Sequence, residues 1–134
     1  MRVLFIKARF EQPILDETKL TTFRGRSRAA KRPKGPPKVG ETLSFRVWVG
    51  RPYGKGSTVR EVARAICTGT PSVFISQNDG KLHWLIDGVC VHDPDATARR
   101  DGFTNATELI AWFAANGGLP FSGYSIEWRG IIRA

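Results

Sequence analysis

Leu43-Ser44-Phe45-Arg46-Val47-Trp48-Val49 sets an apolar residue at every second position, with Ser44, Arg46 and Trp48 between. A period of two is the mark of a strand with one face in a core. The strand starts after the turn Val39-Gly40-Glu41 and stops at Arg51-Pro52-Tyr53-Gly54-Lys55-Gly56-Ser57, a loop on its proline and glycines. Residues 1–7 read as a first strand, because their apolar run is too short for a signal segment and no small-residue cleavage site follows. Residues 72–76 and 82–91 read as two more, the second folded back at Asp87-Gly88, a dipeptide suited to a tight hairpin. Tyr124, Ile126 and Trp128 alternate in a closing strand. Val59, Val62, Ala63 and Ile66 fit helical spacing, so the residues alone leave that segment open between helix and strand.

Two helical segments break this pattern. Asn105 can cap a helix with Glu108 three residues on, Leu109, Ile110, Trp112 and Phe113 form its buried stripe, and Asn116-Gly117 ends it. Pro13 suits a first helical position, followed by Ile14, Leu15 and Asp16-Glu17 in one or two turns that end near Lys19. The chain has no internal repeat, and 134 residues suffice for one core and one domain, residues 1–134.

Lys and Arg number 21 against 12 acidic residues, a net charge of +9 and a pI near 10.3. Such an excess points to a polyanionic partner, nucleic acid first. No apolar run nears the roughly 20 residues of a spanning helix and no amphipathic helix carries the cations, so a membrane partner is not expected. Cys67 and Cys90 are too few for a disulfide framework and suit a reducing compartment, hence a cytoplasmic setting. Much of the excess lies in one run: Arg24, Arg26, Arg28, Lys31, Arg32, Lys34 and Lys38 fall in a stretch with no acid and no apolar period, read as a mobile basic loop over about 25–38. Such a run is either solvated charge or a clamp on a nucleic-acid backbone, and its concentration favours the clamp, with Arg28, Lys31, Arg32 and Lys34 joined by Arg51 and Lys55 of the second basic loop. Tyr53 in that loop could stack on a base or cover the core edge.

Thr18-Lys19-Leu20-Thr21-Thr22-Phe23-Arg24 gathers an amine, a hydroxyl and a guanidinium. In an extended segment Leu20, Thr22 and Arg24 share a face, with Lys19 at the joint. An amine serves a hydroxyl as base if a nearby cation or a dry pocket lowers its pKa, and Arg24 is such a cation. Without chemistry, Lys19 and Arg24 would bind phosphate and Thr22 would be only a strand residue. Cys90, His92 and Asp93 lie close together but lack the number and spacing of a metal site. No glycine-rich phosphate loop precedes a helix, and neither metal nor other cofactor is expected.

Ile14-Leu15, Lys19-x-x-Thr22-x-Arg24 and Lys38-Val39-Gly40-Glu41-Thr42-Leu43 occur in an order that resembles the ASCH family of PUA-like domains, whose small members are often phage-encoded. Asp101-Gly102-Phe103, Glu108-Leu109, Trp112-Phe113, Gly118-Leu119-Pro120-Phe121-Ser122-Gly123 and Ile126-Glu127-Trp128 extend the resemblance over nearly the whole chain. It implies an α+β fold, a small and mostly antiparallel PUA-like β-barrel with one or two helices, and it makes residues 59–67 a strand.

Some ASCH proteins are amidohydrolases that deacetylate N4-acetylcytidine with a lysine, a threonine and an acid. The resemblance implies Thr22 as nucleophile, Lys19 as its base and Asp101 in the acid's place, where the characterised activity uses glutamate, one methylene longer. Arg24 or a backbone amide of the loop could stabilise the oxyanion, with Arg24, Arg26 and Tyr53 contacting substrate. Asp101-Gly102 is equally an ordinary turn before a helix, with Arg99-Arg100 as surface partners. The expectation is therefore a monomeric protein that binds RNA, more than DNA, or a modified nucleoside and hydrolyses an acyl-amide. The alternatives are a nucleic-acid-binding module without chemistry and a metal-independent ribonuclease, and the cytoplasm would be the host's if the gene is viral.

Overall fold

The computed structural model describes residues 1–25 and 35–134. Its strands are β1 (Arg2–Phe5), β2 (Thr21–Gly25), β3 (Thr42–Val49), β4 (Thr58–Gly69), β5 (Ser72–Asn78), β6 (Lys81–Ile86), β7 (Val89–Cys90) and β8 (Phe121–Arg133), and its helices α1 (Glu11–Leu15), α2 (Pro94–Arg100) and α3 (Ala106–Ala115). One 3-10 turn, Ala8–Phe10, leads into α1. The architecture is α+β.

β8 is the spine. β4 pairs with its second half, Gly69 opposite Glu127 and Ala63 opposite Arg133, and β5 pairs with its first half, Ser72 opposite Tyr124. β2 also pairs with Gly123 and Tyr124, so β2 and β5 must take opposite edges of β8. The full order is β1-β3-β4-β8-β5-β6-β7 with β2 as a side branch. Every pairing is antiparallel except that of β1 with β3. The path ends at β1 and β7, so the sheet is open where a barrel was expected.

Local chemistry accounts for most elements. The apolar alternation of β3 survives as buried Leu43, Phe45 and Val47, with Val49 left half exposed beyond the core. Asp79-Gly80 and Asp87-Gly88 all have positive φ and close the two hairpins of β5, β6 and β7. Residues 58–69 are a strand, held between β3 and β8, so pairing overrides their helical spacing. The Asn105 side chain accepts from the amide of Glu108 and starts α3, which buries Leu109 and Phe113.

Three helices form where one or two were expected, and two differences matter for the site. α1 begins at Glu11, before Pro13, and ends early because Glu17 turns to φ 59°, after which the amides of Thr18 and Lys19 both donate to the Pro13 carbonyl at 3.0 Å. α2 had no apolar periodicity to announce it. It is set by Asp93, whose carboxylate accepts from the amide of Ala96, and by Pro94 at its first position. Asp93 is thus a cap, and among the described residues no cluster of metal-ligating side chains exists. No helix among the described residues is long and apolar enough to cross a membrane. Both cysteines are free thiols, Cys67 buried and Cys90 exposed.

α2 ends on Asp101, and Gly102 at φ 92° reverses the chain. A Cβ at Gly102 would lie 3.1 Å from both Lys19 Cδ and Phe10 Cδ1. Gly102→Ala is therefore expected to cost about 1–3 kcal/mol in urea unfolding, from a strained left-handed backbone and a displaced Lys19. A loss below about 0.5 kcal/mol, the range of an ordinary surface change, would contradict this packing.

Candidate active site

Lys19 leaves α1 on a turn that sends its side chain inward, and its exposure is 2 %. The segment is held on both sides: the Leu20 amide donates to the Arg100 carbonyl at 2.6 Å, and the Leu20 carbonyl accepts from the Trp128 amide at 3.4 Å. Lys19 Nζ donates to the backbone carbonyl of Asp101 at 2.5 Å, lies 3.5 Å from the Asp101 carboxylate and sits 4.4 Å from the centre of the Phe10 ring. The main-chain oxygen takes the close hydrogen bond and the carboxylate stands at the edge of range. Asp101 is 4 % exposed and accepts instead from the hydroxyl of Thr21 at 3.0 Å. Sequence reasoning passed over Thr21 for its neighbour Thr22, although a Thr-Thr pair presents two hydroxyls with equal chemistry.

Asp101 is therefore neither a surface turn residue nor a partner of Arg99 or Arg100, and Arg100 lies 3.6 Å from Glu127. Burial dominates the electrostatics of the pair. It pulls Lys19 down to about 8, against the attraction of Asp101, with the positive charges of Arg24 and Arg9 adding to the drop. It pushes Asp101 up to about 6, against Lys19, the Thr21 hydroxyl and Arg24.

Lys19 and Thr22 form part of the wall of a cavity of about 460 Å³, together with Arg24, Lys7, Phe5, Phe10, Phe23, Trp48 and Trp112. A smaller recess behind it, about 30 Å³, is lined by Lys19, Thr22 and Asp101 among aromatic residues. The three positions thus converge although 79 residues separate Thr22 from Asp101. Thr22 and Arg24 do share a face of β2, as alternation implies. Arg24 donates to the Phe5 carbonyl at 2.7 Å, and burial lowers its pKa while leaving a guanidinium charged. The volume falls within the roughly 300–1,000 Å³ of small-ligand sites, and apolar walls with a few polar groups are their usual form.

The remaining sequence candidates divide. Tyr53 is 85 % exposed and packs its ring 4.8 Å from that of Trp48, which in turn stacks on Phe5 at 5.5 Å. Tyr53 is not part of the cavity wall and meets it through Trp48. Arg51 and Lys55 are exposed on the same loop, whose Gly50 and Pro52 reach the cavity. Arg26, Arg28, Lys31, Arg32 and Lys34 lie outside the described residues. Phe5, Phe10, Trp48 and Lys7 had not been assigned to a site, since they come from the end of β1, the 3-10 turn and β3 and meet only in the fold. Comparison with family models, with curated proteins and with solved structures gave no match, so this geometry stands on its own.

Lys19→Met leaves the Asp101 carboxyl without its opposing charge and raises its pKa further. A carboxyl raised in the folded state contributes stability that is lost as pH climbs through its folded value. The loss in Lys19→Met should accordingly be larger at pH 7, on the order of 3 kcal/mol, than at pH 5, where the carboxyl is protonated. Urea unfolding of both proteins at the two pH values checks this, and an equal loss would place the pair in solvent.

Proposed function

We propose that the protein is an ASCH-type, PUA-like domain that takes an RNA nucleoside or a free modified nucleoside into the 460 Å³ cavity and hydrolyses an acyl-amide there. The observation that carries the reading is a buried lysine that lines the same aromatic-walled cavity as Thr22. A general base works best with a pKa near the working pH, and burial brings Lys19 to about 8.

In this reaction neutral Lys19 accepts the proton of Thr22 as its oxygen attacks the amide carbonyl carbon. The ammonium formed then returns a proton to the leaving nitrogen, and water hydrolyses the acyl-threonine by the same route. Asp101 holds Lys19 through its main-chain oxygen and favours the ammonium through its carboxylate, and Thr21 fixes that carboxylate. Phe5, Trp48 and Trp112 supply apolar walls for the base. N4-acetylcytidine is the substrate to which the resemblance points.

With N4-acetylcytidine, Lys19→Met and Thr22→Ala should each lower kcat/KM by about a hundredfold or more, and Thr22→Ser should retain a large part of it. The wild-type rate should rise with pH through about 8 as Lys19 loses its proton. Deacetylation that survives both substitutions would remove these residues from the chemistry. Binding without turnover would make the cavity a recognition site, and cleavage of labelled single-stranded RNA would favour the ribonuclease reading.

A further inference from the structure

Three cations line the cavity and no carboxylate does. Lys19 is matched by Asp101 behind it. Lys7 and Arg24 are in no ion pair among the described residues, and residues 26–34 contain no Asp or Glu that could reach them. Lys7 spends its ammonium on neutral groups, the Asn116 side-chain oxygen at 3.1 Å and the Trp112 ring at 5.2 Å. Arg24 gives one N–H to the Phe5 carbonyl, while its Nε–H is buried with no acceptor among the described residues. A buried donor without a partner is costly and calls for an acceptor, and a guanidinium with a second cation nearby is the usual setting for a phosphate. Beside these charges stand flat apolar walls, Phe5 stacked on Trp48 with their planes 14° apart, and Trp112 also in the lining.

A neutral nucleoside would use the walls and leave both charges unmatched. We infer that the cavity recognises a nucleoside monophosphate unit, its base against Phe5, Trp48 and Trp112 and its phosphate on Lys7 and Arg24. This rests on the reading of the cavity as a nucleoside site and adds the anion to it. The unit can be a free 5′-mononucleotide or one nucleotide of an RNA, since both present the same base and phosphate.

Calorimetric titration of the full chain with cytidine, CMP, inorganic phosphate and a short oligocytidylate separates the cases. CMP should bind about tenfold or more tightly than cytidine at low salt, from a charge-assisted pair of contacts, and more tightly than phosphate alone. The ratio of cytidine to CMP dissociation constants should fall towards one in Arg24→Gln. It should fall also in Lys7→Met, a change at an exposed residue that does not put folding at stake. Oligocytidylate binding more tightly than CMP would name RNA as the source, and the reverse a free mononucleotide; either supports the inference. Equal affinity for cytidine and CMP overturns it while sparing the nucleoside site, phosphate binding as tightly as CMP overturns the role of the base, and no binding of any probe overturns both.

Discussion

The desolvation of one amine governs this molecule. An ammonium buried at 2 % exposure is costly unless charge and hydrogen bonds meet it, and here an aromatic face, a main-chain carbonyl and a carboxylate surround Lys19 Nζ. Each requirement draws in another element. The carbonyl and the carboxylate come from the end of α2, which must stop at Asp101 and turn at Gly102 to present them. Phe10 comes from the 3-10 turn ahead of α1, and Thr21, which holds the carboxylate, from β2. The meeting of α1, α2 and β2 on the spine of β8 is the geometry that keeps this amine dry.

Burial moves the two ionisations towards each other, Lys19 down and Asp101 up, with the ion pair holding back both shifts. A pair arranged only for stability would do better as apolar residues of the same shape. Its place beside a cavity whose wall includes Thr22 is the observation from which the proposed chemistry starts. Lys7 and Arg24 line the same cavity and add positive charge to it without an acidic partner among the described residues.

Much of the fold was legible because its signals are local. The alternation of Leu43 to Val49, the Asp87-Gly88 turn and the Asn105 cap with Glu108 each state a conformation within a few residues, and each appears in the structure. Signals with a rival were ambiguous: Val59 to Ile66 satisfy a helical period, and only pairing to β3 and β8 makes them a strand. α2, with Ala98 as its one buried residue, offered no stripe, only the Asp93-Pro94 start. The open sheet was beyond local reading, since closure depends on whether terminal strands meet. In the site, Lys19, Thr22 and Arg24 could be found because they are neighbours in sequence, and Asp101 came through the resemblance. Phe10 and Trp48 are defined by contacts across the fold and had no signal of their own, and Thr21 had only that of standing beside Thr22.

The most direct measurement is an NMR titration of lysines labelled at Cε, with Lys19→Met to assign the resonance. Lys19 should titrate near 8, and its resonance should shift when N4-acetylcytidine or CMP is added. A Lys19 resonance that titrates as a free lysine side chain in water does, near about 10.4, and does not respond to either ligand would contradict the buried pair and the site built on it.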